Sequence, residues 1–402
     1  MTEKVALLDS INPTAIDVFE SGGLDVTTFP KSLSSDELAE VVQDVRLLGI
    51  RSGPKIPSTV IESGVDLEAI GCFCVGTNHV DHTAANHQGV AIFNSVHENT
   101  RSVAEHVIAS TFGLLRRIPE HSLSMHNGIW TKTDEQSYEV RGKTMGIIGY
   151  GAVGSQVSVL AEGIGMDVAY YDPDPQIPPH GRANRLETIE ELLEIADVIT
   201  LHVPGGDRTT GMINSQTIAL MKPGSYLINT SRGEVVDYEA VAEAIESGQL
   251  GGVAADVFED EPSKKGDKFD HVLRDIGKAV LTPHIAGSTI EAQTDIGNKI
   301  AAKLLVYLMS GNSVGSVNLP PLPLNGLSPG ISRILNIHDD ISGVMRGLSG
   351  IIAEADLNVT SSMQKAVGGI GYAAFDVEGK VTNDMVDAIR GLGHSRKTRV
   401  LS

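Results

Sequence analysis

The sequence has few cysteines, few aromatic residues and a deficit of basic side chains, and each shortage excludes a class of protein. Its 402 residues include two cysteines, one tryptophan and an aromatic share of 4%. They also include 31 Lys and Arg against 51 Asp and Glu, a formal net charge of −20. Such an acidic surface repels nucleic acids and anionic membranes, so neither is an expected partner. An anionic small molecule would need a locally basic pocket.

Disulfides, membrane spans and metal clusters are also not expected. Cys72 and Cys74, separated by one residue, fit free thiols in a reducing, cytoplasmic compartment. Residues 1–4 and the short apolar run after them lack the pattern of a signal peptide, and no run reaches the roughly 18 apolar residues of a membrane helix. Three histidines lie close together without a cysteine or carboxylate cluster, so we expect exposed side chains rather than a metal site: His79, His82 and His87.

One glycine-rich run has the pattern of a dinucleotide-binding loop. The run Gly149-Tyr150-Gly151-Ala152-Val153-Gly154 follows a predicted strand at 145–148 and precedes a predicted helix at 155–164. The first glycine, Gly149, permits a tight turn. The second, Gly151, lets the backbone approach a pyrophosphate, and the third, Gly154, lets the helix lie close to the strand. The start of the helix then offers free N–H groups to phosphate.

An acidic residue at the end of the next strand predicts which dinucleotide binds. Asp172 closes the predicted strand at 168–171, where its carboxylate would accept hydrogen bonds from both ribose hydroxyls. The same carboxylate would repel a 2′-phosphate. Because Pro173 follows it and no arginine does, the sequence predicts NAD rather than NADP.

The arrangement of predicted elements divides the chain into an early α/β segment, the glycine-loop segment and a C-terminal unit. Strands and helices alternate through residues 1–98 and again from the glycine loop to about residue 287, which predicts parallel sheets covered on both faces. A helix is predicted at 289–309. Residues 311–330 contain four prolines and predict a semi-rigid tether. Residues 331–402 follow the order strand–helix–strand–strand–helix–strand, which is ferredoxin-like.

Three chemically active side chains are predicted at the carboxyl ends of parallel strands, where open α/β sheets bind ligands. Arg232 could hold a carboxylate or polarise a ketone, although a surface ion pair is the alternative. His284 is a natural proton carrier, with a structural histidine as the alternative. One acid of residues 256–261 could favour the imidazolium form, although these acids also fit a solvated loop.

These motifs together resemble the D-2-hydroxyacid dehydrogenase family. The resemblance rests on the glycine run, on residues 230–233, on residues 256–262 and on residues 282–287, and it extends over nearly the whole chain. It implies an α/β protein with a doubly wound Rossmann-type NAD domain, residues 99–287, inserted into a flavodoxin-like substrate domain. That second domain comprises residues 1–98 and a return helix at 288–312. The linker is then 313–330, and residues 331–402 resemble a ferredoxin-like ACT domain, a ligand-sensing module.

The resemblance also assigns roles to individual residues. Arg232 would bind and polarise the substrate, Glu261 would pair with the histidine, and His284 would exchange the proton. Residues implied to contact NAD are Gly149, Gly151, Ala152, Val153, Gly154, Asp172, Thr230, Ser231, Arg232, Asp256, His284 and Gly287.

The substrate implied by the resemblance is 3-phospho-D-glycerate, oxidised to 3-phosphohydroxypyruvate in the first step of L-serine synthesis. Its anionic groups would be bound by Arg51, Ser52, Asn99 and Lys132. Lys31 is a further candidate, and ordinary surface lysines are the alternative for it and for Lys132. Gly53 stands where related proteins often carry a second arginine. Another D-2-hydroxyacid dehydrogenase therefore remains an alternative, as does a non-catalytic NAD-sensing regulator.

A regulatory ligand and a second copy of the chain are the remaining expected partners. The ACT resemblance implies a serine effector bound by His338, Asp340 and Asn358. Aspartate replaces an amide at 340 and Ser342 replaces a proline, so the loop departs from the usual pattern. Because ACT modules usually pair, the resemblance implies a homodimer or homotetramer.

Overall fold

A computed structural model describes residues 3–31, 33–262 and 266–402, which form three β-sheets with flanking helices. The chain divides into two compact units. The first comprises Met1–Val96 together with Gln293–Ser402, and the second comprises His97–Ala292. The second unit is thus a continuous insertion within the first.

The first sheet is parallel, with the strand order β2-β1-β3-β4-β5. Alternate residues of β1, an interior strand, lie in different core clusters, Val5 and Leu7 in one and Ala6 and Leu8 in the other, so both faces are buried. The elements are β1 (Lys4–Leu8), α1 (Thr14–Ser21), β2 (Asp25–Phe29), α2 (Ser35–Val41), β3 (Leu47–Ile50), α3 (Ser58–Ser63), β4 (Ala69–Cys72), α4 (His82–Gln88) and β5 (Ala91–Asn94).

The second sheet has seven parallel strands in the order β12-β11-β10-β9-β6-β7-β8. The strand order reverses between β6 and β9, which places a ligand-binding crevice at their carboxyl ends. The elements are α5 (Thr100–Leu115), α6 (Ile118–His126), β6 (Thr144–Ile148), α7 (Ala152–Gly163), β7 (Asp167–Tyr171), β8 (Asn184–Arg185), α8 (Ile189–Ile195), β9 (Val198–Leu201), α9 (Ser215–Ala219), β10 (Ser225–Asn229), α10 (Tyr238–Ser247), β11 (Leu250–Ala255) and β12 (Ala279–Leu281).

A long helix leads back to the first sheet and is followed by the third sheet. Ile300 and Leu304 of this helix share a core cluster with the first sheet. The third sheet is antiparallel, in the order β14-β15-β13-β16, which confirms the predicted ferredoxin-like arrangement. The elements are α11 (Ile290–Ser310), β13 (Ile331–Asp339), α12 (Val344–Glu354), β14 (Val359–Val367), β15 (Ile370–Glu378), α13 (Asn383–Arg390) and β16 (Ser395–Leu401).

The predicted tether is wrong as a description of residues 311–330. The segment contains neither helix nor strand, as its prolines indicate, but it is packed against the protein. Leu319, Leu322 and Leu324 are buried in the core cluster shared by the first and third sheets. The hydroxyl of Ser313 donates to Pro320 O at 2.6 Å and accepts from Leu322 N–H at 2.9 Å. The third sheet is therefore part of the first compact unit.

Buried charges also join the third sheet to the first. Glu68, which precedes β4, lies 3.0 Å from Arg46 and 3.6 Å from Arg399 of β16. Arg399 also donates to Tyr307 O at 2.6 Å and lies over the Tyr307 ring. Burial raises the pKa of Glu68, but the cations around it, Arg399 first, outweigh burial and hold the pKa below its usual range. The carboxylate is therefore ionised in a buried position.

The helices bear on the expectation that membranes are not partners. In residues 3–31, 33–262 and 266–402, none of the helices combines the length and apolarity that crossing a bilayer requires.

Candidate active site

The glycine loop lies where β6 gives way to α7, at the reversal of strand order. Gly149 has φ 92°, and a β-carbon there would collide with the carbonyl oxygen of His202 at the end of β9. A β-carbon on Gly154 would collide with the carbonyl oxygen of Gly149. Both positions therefore require glycine. The helix begins at Ala152, three residues before the predicted start, because the loop itself supplies the first helical turn.

Asp172 is held beside this loop by backbone hydrogen bonds. The Tyr150 N–H donates to Asp172 Oδ2 at 2.7 Å, and the Asp174 N–H donates to Oδ1 at 2.9 Å. The carboxylate therefore has a fixed position next to the start of α7. Sequence reasoning missed a neighbouring cation: Arg185 of β8 donates to Asp172 O at 3.2 Å. Arg185 lies 13 residues after Asp172, on a strand of two residues, so the sequence spacing did not indicate this contact.

The residues present fit a bound dinucleotide. A β-carbon placed on Gly151 would meet no heavy atom within 4 Å, so space is open beside the backbone there. The first N–H groups of α7, including those of Ala152 and Val153, have no carbonyl partner within the helix. Thr230 Oγ1 is buried and has no hydrogen-bond partner among the described residues. An open backbone surface and an unsatisfied buried hydroxyl are features that a polar ligand would complete.

His202 is a second residue that the motif analysis missed. It follows β9 at the edge of the crevice, and its Nε2 lies 3.0 Å from Thr200 Oγ1. Burial lowers the pKa of His202 to about 3, so the ring is neutral. The sequence offered no signal beyond a histidine at a strand end, the same signal that His284 carries.

Asn229, the last residue of β10, shapes the turn that carries Arg232. It is fully buried; its Oδ1 accepts from the Ser231 N–H at 3.0 Å and from the Ser231 hydroxyl at 2.8 Å. Its amide Nδ2 donates to Arg232 O at 2.9 Å. These bonds fix the backbone on both sides of Arg232, so the guanidinium leaves the sheet edge from a rigid base. Ser231 helps to hold this turn through its two hydrogen bonds to Asn229.

Asp256, which follows β11, positions the loop that carries the histidine. Its buried carboxylate accepts from the Thr282 hydroxyl at 2.6 Å, from Ile285 N–H at 2.8 Å and from Ala286 N–H at 2.8 Å. The loop needs this support because His284 has φ 52°, a left-handed conformation that is strained for a residue with a side chain. The contacts give Asp256 a positioning role, whereas its predicted contact with NAD stays a prediction.

His284 and Glu261 form a directly hydrogen-bonded pair. His284 Nδ1 lies 2.8 Å from Glu261 Oε2 and 3.0 Å from Oε1, and the Phe258 N–H donates to Oε1 at 3.2 Å. The hydrogen bond to Glu261 raises the pKa of His284, with burial and Arg232 acting against it. Burial raises the pKa of Glu261, but the bonds from His284 and Phe258 lower it more. Because Nδ1 is occupied, Nε2 is the nitrogen available for proton exchange.

The remaining predicted residues are divided between the two compact units. A β-carbon on Gly287 would collide with the Asn99 side chain, so those two residues are in contact. Lys132 is exposed on the segment after α6. Arg51 and Ser52 follow β3, and the exposed Lys31 follows β2. All three belong to the other compact unit.

The predicted effector residues lie apart within one chain. His338 is inside β13 rather than in a loop after it, because this strand continues to Asp339; the ring is buried and Nδ1 lies 3.0 Å from Asn336 Oδ1. Asp340 is exposed just beyond the strand. Asn358 bonds Glu378, which pairs with Ile331 at the opposite end of the ladder from His338. Seven register steps separate the two ends, about 23 Å at strand spacing.

Comparison with known proteins identifies the family. Residues 108–286 match the sequence profile described as "D-isomer specific 2-hydroxyacid dehydrogenase, NAD binding domain". The D-3-phosphoglycerate dehydrogenase of Haemophilus influenzae is 40% identical over 399 residues, covering 99% of this chain and 97% of that protein. The enzyme of the same name from Dictyostelium discoideum is 42% identical over 398 residues, with the same coverage. This chain belongs to the D-isomer specific 2-hydroxyacid dehydrogenase family.

The fold of this dehydrogenase agrees with that assignment. The structure of D-2-hydroxyisocaproate dehydrogenase superposes with a TM-score of 0.71 and 26% identity, covering 79% of this chain and all of that one. The predictions of the family, of an NAD-dependent oxidoreductase and of a doubly wound NAD domain are confirmed. The ACT assignment of the third sheet stays a prediction, as do the roles of individual site residues.

Proposed function

We propose that this dehydrogenase oxidises 3-phospho-D-glycerate to 3-phosphohydroxypyruvate with NAD, the first step of L-serine synthesis. The observation that carries the proposal is the His284–Glu261 pair, with a shortest distance of 2.8 Å and an electrostatic influence from Arg232. The relatives from Haemophilus influenzae and Dictyostelium discoideum, which match over 99% of this chain, support the choice of substrate.

Each side chain has one task in this reaction. The glycine loop and Asp172 would hold NAD, which would supply the hydride acceptor for the carbon that carries the hydroxyl group. His284 takes the hydroxyl proton on Nε2 in oxidation and returns it in reduction. Glu261 stabilises the imidazolium that forms and fixes the ring's orientation. Arg232 binds the substrate carboxylate and polarises the carbonyl oxygen.

The phosphate of the substrate requires cations in a chain with net charge −20. We assign Arg51 and Ser52 to the phosphate, with Asn99 near the carboxylate and Lys132 as a further cation. Gly53, which is exposed beside Ser52, offers no second guanidinium. This feature favours one alternative, a dehydrogenase for an unphosphorylated 2-hydroxy acid.

A substrate panel distinguishes the two candidates. NAD reduction should be fastest with 3-phospho-D-glycerate, and Arg51→Ala should raise its KM while changing the KM for D-glycerate little. Activity confined to glycerate or lactate would overturn the phosphoglycerate assignment. His284→Ala should abolish turnover but preserve NAD binding measured by calorimetry. A natural chain that binds NAD and turns over none of the panel would instead be a non-catalytic regulator.

We further propose that the enzyme is a cytoplasmic homo-oligomer that responds to serine. Support for the oligomer comes from exposed apolar side chains on and after α6, including Leu123, Ile129 and Trp130. β14 is also exposed along its whole length. Because His338 and Asn358 lie at opposite ends of one ladder, a serine site built from both needs two chains. The free thiols of Cys72 and Cys74 support the cytoplasmic location.

Light scattering and serine titration test these assignments. Leu123→Glu should reduce the oligomer's mass, whereas the matched change at the exposed polar position Ser122→Glu should not. Millimolar serine that neither slows turnover nor releases heat would remove the effector assignment.

A further inference from the structure

The buried hydroxyl of Tyr238 lies between the loop that carries Arg232 and the loop that carries Glu261. Tyr238 is the first residue of α10, and only 3% of its surface is exposed. Its hydroxyl accepts from Asn229 Nδ2 at 3.0 Å and donates to Val257 O at 2.8 Å. Because Asn229 ends β10 and Val257 follows β11, one hydroxyl connects the carboxyl ends of two paired strands.

The direction of both hydrogen bonds is fixed. Burial raises the pKa of the Tyr238 hydroxyl, so this group stays protonated. A carbonyl can only accept and an amide nitrogen can only donate, so the hydroxyl hydrogen is directed at Val257 O and a lone pair faces Asn229. The ring is held by aromatic contacts, with its centroid 6.0 Å from that of Phe258 and 5.0 Å from that of His271. The hydroxyl is therefore a rigid connection.

Through Val257, the hydroxyl sets the direction of the peptide group that holds Glu261. The Val257 carbonyl and the Phe258 N–H belong to one planar trans peptide unit, so they point in opposite directions. With the carbonyl directed at Tyr238, the Phe258 N–H donates to Glu261 Oε1 at 3.2 Å. The same carboxylate bonds His284 Nδ1, which lies 2.8 Å from Oε2. Releasing the carbonyl would let the peptide group turn and would loosen the Glu261–His284 pair.

Through Asn229, the same hydroxyl is joined to the turn that carries Arg232. One hydrogen of Asn229 Nδ2 bonds Tyr238 and the other bonds Arg232 O at 2.9 Å. Among the described residues, the backbone pairing of β10 with β11 ends where the Asp256 N–H donates to Asn229 O at 3.0 Å. The hydroxyl therefore continues the connection between the two chain segments beyond the end of the ladder.

We propose that Tyr238 is a positioning residue for the dehydrogenase reaction, because its hydroxyl holds the Glu261–His284 pair at a fixed distance from Arg232. The inference rests on the proposed function, which assigns proton exchange to His284 and the substrate carboxylate to Arg232. Both groups must fit one substrate at the same time, and a small misplacement of either slows the reaction. Tyr238 acts through the two loops and not by contact with the substrate.

The acidity of His284 distinguishes positioning from a purely structural role. The charged groups that act on this ring are Glu261, Asp256 and Arg232, and His106 of α5 lies 3.3 Å from Thr282 Oγ1, two residues away. The bond to Glu261 raises the pKa of His284. Loss of the Tyr238 hydroxyl should lengthen that bond and lower the pKa. A hydroxyl that merely satisfies buried polar groups would affect stability alone.

Tyr238→Phe tests the proposal, because it keeps the ring and removes the connection. The kcat for 3-phospho-D-glycerate should fall by about two- to tenfold, the value of one hydrogen bond, while the KM for NAD stays unchanged. Diethyl pyrocarbonate, which modifies neutral imidazole, measures the acidity of His284 without turnover, since this side chain is 53% exposed. Peptide mapping identifies the modified histidine. The midpoint of its pH dependence should move to lower pH.

Tyr226→Phe is the matched control. Tyr226 is buried like Tyr238 but is the second residue of β10, at the opposite end of the strand from Asn229. Its loss of a hydroxyl should leave kcat and the His284 midpoint unchanged. Urea unfolding establishes that both variants are folded under the assay conditions.

A double variant tests whether Tyr238 acts through Glu261. If it does, adding Tyr238→Phe to Glu261→Gln should move the His284 midpoint no further than Glu261→Gln alone. An unchanged midpoint in Tyr238→Phe, an additive shift in the double variant, or an equal shift in Tyr226→Phe would overturn the proposal. The proposed function fails separately: a midpoint that moves in a protein that oxidises no 2-hydroxy acid would support the positioning of His284 and refute the reaction assigned to it.

Discussion

Replacing Glu261 with glutamine tests the paired histidine most directly. Glutamine has the size of glutamate and retains an acceptor for His284 Nδ1, but it removes the negative charge that now lies 2.8 Å from that nitrogen. The Phe258 N–H keeps an oxygen acceptor. The change therefore removes charge while leaving packing nearly intact, and its effect reports on the stabilisation of the imidazolium.

The expected loss of rate follows from the exposure of the pair. A hydrogen bond to a charged partner contributes about 1.5–3 kcal/mol when shielded, whereas exposed ion pairs contribute about 0.2–1 kcal/mol. The His284 side chain is 53% exposed and that of Glu261 is 35% exposed, so solvent screens much of the attraction. We therefore take the lower end of the shielded range, about 1.5 kcal/mol, which is roughly a tenfold loss in kcat.

The pH dependence gives the sign of the effect. Glu261 raises the pKa of His284, so Glu261→Gln should lower it. Oxidation uses the neutral ring as a base and fails as pH falls through this pKa, so its acid limb should move to lower pH. Reduction uses the imidazolium as an acid and fails as pH rises, so its alkaline limb should also move to lower pH. Profiles of kcat/KM in both directions measure the two limbs.

Asp260→Asn is the matched control, because it removes a carboxylate from the adjacent, exposed position. It should leave the rate and both limbs near those of the wild type. Limbs that stay fixed in Glu261→Gln, or that move equally in the control, would show that Glu261 does not set the acidity of His284.

Four further substitutions test the cofactor loop and the shared core. Asp172→Ala should raise the KM for NAD about tenfold and reduce the preference for NAD over NADP, measured as the ratio of kcat/KM values. Gly154→Ala forces a β-carbon onto a backbone carbonyl and should lower the free energy of unfolding by about 1–3 kcal/mol in urea. Gly151→Ala, with open space around its β-carbon, should leave stability unchanged yet weaken NAD binding; equal destabilisation of the two variants would contradict the loop geometry. Glu68→Gln leaves the buried Arg399 without its carboxylate and should cost about 3–5 kcal/mol, whereas a loss below about 1 kcal/mol would show that the pair does not hold the third sheet.

Local sequence patterns were sufficient where a residue's role depends on its immediate neighbours. The glycine run, the strands around it and Asp172 were predictable because turn geometry, helix starts and buried apolar strands are short-range features. Such patterns give no signal for β2, because its residues Asp25–Phe29 are mostly exposed at a sheet edge and lack an apolar pattern. They also failed to show that the proline-rich segment at 311–330 packs into the core, because its leucines have no helical or strand periodicity.

The sequence by itself determined the elements that carry chemistry and the cofactor they imply, since glycine, arginine and histidine at strand ends have distinct steric and ionisation properties. Only the tertiary structure decided which of these side chains come into contact. It joined His284 to Glu261 across 23 residues and made Asp256 the support of the histidine loop. It also brought Arg185 to Asp172. These contacts depend on strand order and on the bends after strands, both of which are set by packing over the whole sheet rather than by neighbouring residues.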